Sequence, residues 1–349
     1  MRRRTAVTLI FVLTLVLTVA CGGGNEDDRS TASEMPSDTG PRTFVDVRGE
    51  PIEVPGDPQR IVAIHDSNGG MQVLELGFEL LGFPTRGGEF GPEITTRYDL
   101  EGVTEVGEVY EPNVEAIATL QPDLIVGEGY AGDGMNAFMP NGVEEQLQQI
   151  APTVYIDVFR PVEDVMADFA ELLGPRAEER YRELGGKYAE SLDSYSSKLE
   201  DAEGLSAVFV QHLSGGTLAL WGSTAVPLTT ILTELGVPQP PITEAADEPK
   251  NGGYLGSVSL ERIPDLSSDV IFLEHKTPGE DDKYQDDYTG HPLWQALPAV
   301  EGEQVHLTDE MYYGTTFGVY QYVLDKVGPA LLSADGGTVE ASWENAVEE

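Results

Sequence analysis

Apolar residues recur at three-residue spacing through Val114, Ile117 and Leu120, the signature of one helical face. Pro122 breaks that periodicity, and Leu124-Ile125-Val126 follows as a short apolar run of strand type. The pattern predicts a short helix, a turn at Gln121-Pro122-Asp123 and a buried strand. It returns in Val258 to Leu273, VSLERIPDLSSDVIFL. With Glu115 set on Glu261, residues Ile117, Leu120, Asp123 and Ile125 fall on Ile263, Leu266, Asp269 and Ile271, a constant offset of 146. That period is too long for a solenoid and points to two similar lobes in one chain.

The flanking pattern agrees with two lobes. FVDVRGEPIEVP alternates apolar and polar residues around Arg48-Gly49-Glu50, as a hairpin does, and Arg60 to Ile64 follows as a buried strand ending in His65. Met71 to Leu81 reads as a helix with Met71, Leu74 and Phe78 on one stripe. Gly127-Glu128-Gly129-Tyr130 reads as the loop after the repeated strand, Glu144 to Ile150 as a helix and Thr153 to Ile156 as a strand. Alternating strands and helices predict parallel sheets covered by helices. Val162 to Leu173 is amphipathic and closes at Gly174-Pro175; Arg176 to Leu199 then carries Tyr181, Leu184, Tyr188, Leu192, Tyr195 and Leu199 on one face. A helix of that length spans roughly 36 Å and can join two lobes, with Gly185-Gly186 as its weak point. Beyond it Ala207 to Val210 reads as a strand ending in Gln211-His212, placing His212 opposite His65 in the other lobe. Leu218 to Trp221 follows a Gly215-Gly216 turn, Pro227 to Leu235 is a helix, Val305 to Leu307 a late strand and Tyr320 to Leu332 a terminal helix. The fold expected is α/β: two β/α lobes with parallel-type sheets, joined by one long backbone helix, with a ligand cleft between them. Its divisions are residues 44–174 for the first lobe, 175–200 for the helix and 201–333 for the second lobe, with an acidic tail at 334–349.

The N-terminus changes the compartment. Arg2, Arg3 and Arg4 precede an apolar run from Ala6 to Ala20, and Thr18-Val19-Ala20-Cys21 resembles a bacterial lipobox followed by Gly22-Gly23-Gly24. Residues 1–20 are thus expected to be a signal peptide and Cys21, the one cysteine in the chain, the lipidated residue. Thr18 stands where such motifs usually carry Leu. A lone cysteine excludes an intrachain disulfide. Small, polar and acidic residues at 21–43 read as a tether that lifts the folded part off a membrane surface.

The chain carries 20 Lys and Arg against 61 Asp and Glu, a formal net charge of −41. Nucleic acid and anionic lipid are excluded as partners, and the membrane is reached through the anchor only. No phosphate-binding Gly-rich loop, nucleophile elbow, H-E-x-x-H or C-x-x-C motif is present. The sequence therefore predicts a binding protein and not an enzyme, with no cofactor.

In open parallel sheets ligands lie beyond the carboxyl ends of strands, and in two-lobed proteins between the lobes. The candidates in lobe one are His65, Asp66, Arg86, Tyr110 and Tyr130; those in lobe two are Gln211, His212, Trp221, Tyr254, His275, Tyr312 and Tyr313. Their aromatic character suits a large ligand with flat faces. No histidine pair has ligand spacing, so no metal site is assigned, and His291 and His306 read as structural. Glu115 and Glu261 each stand in the first turn of a helix, after Asn113 and Ser259 as caps. Favourable contact with the helix dipole explains a glutamate there; two symmetric acidic knobs for a two-fold partner explain it equally.

The segments VDVRGEPIEVPGDPQRIVAI, VGEVYEPNVEAIATLQPDLIV, VSLERIPDLSSDVIFL and HPLWQALPAVEGEQVHL together resemble the substrate-binding lipoproteins of ABC importers for iron–siderophores, haem and vitamin B12. The resemblance runs from about Phe44 to Leu332. It implies a monomeric clamshell with little closure, no catalysis, and an ABC permease dimer whose arginines receive Glu115 and Glu261. It also implies a cargo class. Catecholate binders of that family gather basic residues in the cleft, whereas here Arg86 is the clear strand-end cation, which favours a neutral or cationic ferric hydroxamate. Haem is the alternative, with His275 as an axial ligand and Tyr110 facing it, and vitamin B12 comes third. A hydrolase on the same scaffold is the reading from a different class.

Overall fold

The computed structural model describes residues 40–129, 142–158, 160–199, 204–213, 217–248, 253–274, 288–308 and 314–333. Cys21, Tyr130, His275, Tyr312, Tyr313, the signal segment, most of the tether and the acidic tail lie outside the described residues. Among the described residues no helix is long and apolar enough to cross a membrane.

The chain opens with a hairpin, β1 (Arg42–Val45) against β2 (Pro51–Val54). Arg42 and Thr43, expected in the tether, begin this hairpin. The reason is a cap: the Arg42 guanidinium donates to the carbonyls of Glu171 (2.5 Å) and Leu172 (2.8 Å) at the end of the helix Val162–Leu173. The first sheet holds β3 (Ile61–Ala63), β4 (Leu80–Thr85), β5 (Thr104–Glu108), β6 (Glu111–Pro112), β7 (Leu124–Gly129) and β8 (Thr153–Asp157). Their order is β6-β5-β4-β3-β7-β8, with all pairs parallel except β5–β6. The second sheet holds β9 (Ala207–Leu213), β10 (Thr217–Trp221), β11 (Tyr254–Val258), β12 (Val270–Glu274) and β13 (Val305–Thr308), in the order β11-β10-β9-β12-β13. Here β9, β12 and β13 are parallel, whereas β10 pairs antiparallel with both β9 and β11.

Two sequence expectations change. The helix predicted over Met71 to Leu81 stops after Glu75. Gly77 takes a left-handed φ of +82°, the Phe78 amide bonds back to the Val73 carbonyl at 3.1 Å, and Leu80 onward becomes β4. A short apolar run buried on both faces carries no period that separates helix from strand. Glu128, expected in a loop, is inside β7 and buried.

Each sheet buries one face in a core of its own. Val62, Ile117 and Ile125 meet in the first lobe, and their counterparts at the offset of 146, Val208, Ile263 and Ile271, meet in the second. The other faces share one core that includes Leu124, Val126, Phe209, Phe272 and the buried residues of the long helix Pro175–Leu199. Gly185 of that helix has a packing role. A Cβ there would stand 3.0 Å from the Phe317 ring, so the glycine admits the start of the helix Phe317–Leu332. This last helix does not belong to the second lobe alone. Gln72 Nε2 donates to the Thr315 carbonyl (3.2 Å), the Gly318 amide donates to Glu75 Oε1 (2.7 Å), and Thr315 Oγ1 donates to the Val158 carbonyl (3.0 Å). The lobes are therefore braced by two segments, of which periodicity revealed only the long helix.

Candidate functional site

The repeated unit is repeated in its hydrogen bonds. Asp123 accepts the amides of Gln59 (2.9 Å) and Arg60 (3.0 Å), and its own amide bonds the Arg60 carbonyl (2.9 Å). At the offset of 146, Asp269 accepts the amide and hydroxyl of Ser206 (2.8 and 2.7 Å) and bonds the Ser206 carbonyl (3.1 Å). Each aspartate thus clamps the entry of its lobe's first parallel strand, β3 or β9, to the start of the neighbouring parallel strand, β7 or β12. The helices differ in type. Val114–Leu120 is an α-helix capped by Asn113, whose side chain accepts from the Ala116 amide at 3.1 Å. Leu260–Leu266 is a 3₁₀ helix, because Pro264 stands where Ala118 stands in the first copy and supplies no amide donor. Glu115 and Glu261 are both exposed in the first turns.

At the carboxyl edge of the first sheet, four of the candidates meet: His65, Asp66, Arg86 and Tyr110. His65 follows β3, and its Nδ1 lies 3.1 Å from the Asn68 amide nitrogen. Nδ1 also lies 3.1 Å from Asp66 Oδ1, so the tautomer decides which neighbour it bonds, while Nε2 lies 3.2 Å from Tyr110 Oη and 3.5 Å from Glu128 Oε1. The His65 and Tyr110 rings meet edge to face, with centroids 5.2 Å apart. Tyr110 adopts a left-handed φ of 69°, a strain worth about 1–3 kcal/mol in a non-glycine residue and typical of constrained sites. Arg86 Nε and Nη2 reach the two carboxylate oxygens of buried Asp66 at 2.5 and 2.8 Å. Burial alone would push the Asp66 carboxyl up; hydrogen bonds from His65 and Arg86 outweigh it and hold that carboxyl well below the usual range. Asn68 Nδ2 donates to Glu128 Oε2 at 2.7 Å.

The second sheet separates the candidates that the sequence grouped together. β12 pairs with β9 so that Glu274 stands opposite Gln211, as Glu128 stands in line with His65 beyond the Ala63–Val126 pair. Gln211, not His212, is therefore the counterpart of His65. His212 points to the opposite face by strand alternation, where its ring lies 5.5 Å from that of buried Tyr288. Trp221 and Tyr254 stand opposite each other on β10 and β11 with ring centroids 4.5 Å apart. Because β10 runs antiparallel to β9, this pair lies level with Phe209, below the edge that carries Gln211. Burial and the Glu274 carboxylate both raise the Tyr254 phenol above its ordinary range, so the two groups share one field. His291 caps a helix by accepting the Leu293 amide at 3.2 Å, and buried His306 stacks on Phe272. Both do structural work.

Sequence reasoning missed Glu128 and Glu274. Glu128 is 9% exposed and Glu274 is 0% exposed, each towards the carboxyl end of the strand that pairs in parallel with its lobe's first buried strand, β7 beside β3 and β12 beside β9. The offset that aligned Glu115 with Glu261 also aligns these two, and that signal was available in the chain. Among the described residues no group of His, Cys, Asp and Glu is arranged to hold a metal ion.

The model of the periplasmic binding protein family matches residues 91–312 of this chain. The chain belongs to that family. It is a family of binding proteins, not of enzymes. The binding protein is 27% identical over 335 residues to the probable siderophore-binding lipoprotein YfiY of Bacillus subtilis (strain 168), covering 94% of this chain and 98% of that one. It is 25% identical over 304 residues to the iron(3+)-hydroxamate-binding protein FhuD of the same organism, covering 86% and 88%. Its fold matches that of SirA from Staphylococcus aureus, solved in complex with staphyloferrin B, at a TM-score of 0.67 and 24% identity over 83% of this chain and 98% of that one.

Proposed function

We propose that this protein is the extracytoplasmic receptor of an ABC importer, anchored by a lipid on Cys21, and that its cargo is a ferric siderophore of the hydroxamate type. The names of its relatives support siderophore binding and lipid anchoring, and they span more than one siderophore chemistry. The observation that carries the finer choice is the Arg86–Asp66 pair. Both guanidiniums described at the carboxyl edge of the first sheet are already engaged, Arg86 by Asp66 and Arg160 by Asp168. Glu108, Glu128 and Glu274 add negative charge at the two edges. A polyanionic ferric catecholate would meet net repulsion here, whereas a neutral or cationic ferric hydroxamate would not. Glu115 and Glu261 are the acidic knobs offered to the permease.

Tryptophan fluorescence titration tests the assignment. Ferrioxamine B is expected to quench saturably, and ferric enterobactin and haemin to quench weakly or not at all. Quenching by haemin alone would replace the siderophore reading with the haem one, and saturable binding of none of the three would overturn the receptor assignment.

A further inference from the structure

Arg86 and Tyr110 stand on neighbouring tight turns at the carboxyl edge of the first sheet. Arg86 opens the turn after β4, which its own amide closes on the Glu89 carbonyl (3.0 Å), with Gly87 and Gly88 both left-handed at φ +65° and +84°. Tyr110 lies in the turn between β5 and β6, where Glu108 pairs with Glu111. One side chain joins the two turns. Glu108 Oε2 accepts the Gly87 amide and its Oε1 accepts the Gly88 amide, both at 2.8 Å. The Val109 amide also bonds the Thr85 carbonyl at 3.1 Å, so the backbone links the turns as well.

These contacts close into a ring. It passes from Glu108 through the Gly87 and Gly88 amides to Arg86, and from the guanidinium to Asp66. From Asp66 it reaches His65 at 3.1 Å, then Tyr110 at 3.2 Å, and returns along Val109 to Glu108. In an open chain of contacts any link can swing. In a closed ring each link is fixed from both sides, and the geometry is preset before a ligand arrives. Turn closure does not account for Glu108, because the Arg86 turn already has its own hydrogen bond and the glycines its backbone needs. What the carboxylate adds is where that turn sits relative to Tyr110. Direct recognition of a cationic cargo is a poorer account, since charge-assisted hydrogen bonds engage both carboxylate oxygens. We propose that Glu108 is a positioning residue: it sets the separation of Arg86 and Tyr110 so that both meet one ligand without reordering. This deepens the reading of the cleft given above and rests on it.

Glu108→Gln keeps the size of the side chain and removes its charge and one of its two acceptors. In the otherwise unaltered full chain it is expected to weaken ferrioxamine B binding about tenfold, as read by fluorescence quenching. In an Arg86→Ala background the same change is expected to cost about threefold or less, because no guanidinium is left to position. An equal loss in both backgrounds would make Glu108 a structural residue only and overturn the inference, as would the absence of a loss in the first. In the ligand-free protein, exchange of the Arg86 Nε proton, followed by NMR, is expected to quicken about threefold or more in Glu108→Gln. Failure of the unaltered protein to bind ferrioxamine B, with quickened exchange in the variant, would remove the hydroxamate reading and leave Glu108 as the residue that sets Arg86. Unchanged exchange would overturn the inference whatever the protein binds.

Discussion

Arg86 and Asp66 are joined by two parallel hydrogen bonds, 2.5 and 2.8 Å long, with the carboxylate buried beneath the guanidinium. The pair turns the one candidate cation of the sequence into a neutral unit. Asp66→Asn removes the counter-charge and keeps the shape, so the guanidinium becomes available to an anionic ligand. Affinity for ferric enterobactin is expected to rise by about tenfold on this change, near 1.4 kcal/mol, as read by fluorescence quenching. An unchanged affinity would show that Arg86 does not face the ligand.

Tyr188 of the long helix donates a short hydrogen bond to Glu234, at the end of the helix Pro227–Glu234. Burial pushes the Glu234 carboxyl up, the hydrogen bond partly offsets this and Glu163 adds to it, leaving it at about 7. The folded state thus binds this proton more tightly than the unfolded chain does. Its contribution to stability is complete below the ordinary carboxylate range and is lost as pH rises through about 7. Solvent access to Glu234 limits the effect to about 1–2 kcal/mol. Urea midpoints are expected to rise from pH 8 to pH 5, and Glu234→Gln to flatten that slope relative to the unaltered protein. The same slope in both would assign it to the overall negative charge instead.

Gly107 in β5 has φ +103°, and a Cβ there would lie 2.6 Å from the Glu111 carbonyl and 2.7 Å from the Asn113 amide nitrogen, just ahead of the helix Val114–Leu120. Gly107→Ala is expected to destabilise the fold by about 2–4 kcal/mol. Gly186 is the contrast, since a Cβ there meets nothing within 4 Å on a helical surface. Gly186→Ala is expected to stabilise by about 0.5–1 kcal/mol. Thermal melts of the two variants should move in opposite directions.

Glu115 and Glu261 are exposed and lie on the helices, away from the strand ends. The double variant Glu115→Ala, Glu261→Ala is expected to retain ligand affinity within about twofold, since surface changes of this kind cost within about 0.5 kcal/mol. Uptake of radiolabelled iron–siderophore by cells should fall severalfold. Normal uptake would assign the two residues to their helix dipoles alone.

Periodicity made the long elements legible. Val162 to Leu173 and the long helix stand where the pattern puts them, because a helix with one buried stripe writes its period into the chain. β4 was not legible, since LLGFPT is buried along its length and shows neither period. The expectation that sets His212 opposite His65 rests on both residues ending a strand, which fixes a place only to within one position. In a strand one position is the difference between two faces, and the β9–β12 register gives that place to Gln211.

The sequence by itself determined that the chain has two related lobes, which segment joins them, and where Glu115 and Glu261 stand. Those features are local periods and constant offsets, and both are one-dimensional. Only the tertiary structure decided that Arg86 is neutralised by Asp66, that the last helix ties back to Gln72 and Glu75, and that Glu128 and Glu274 are buried at the strand ends. Each of these depends on which strands pair, and in what register, between residues far apart in the chain.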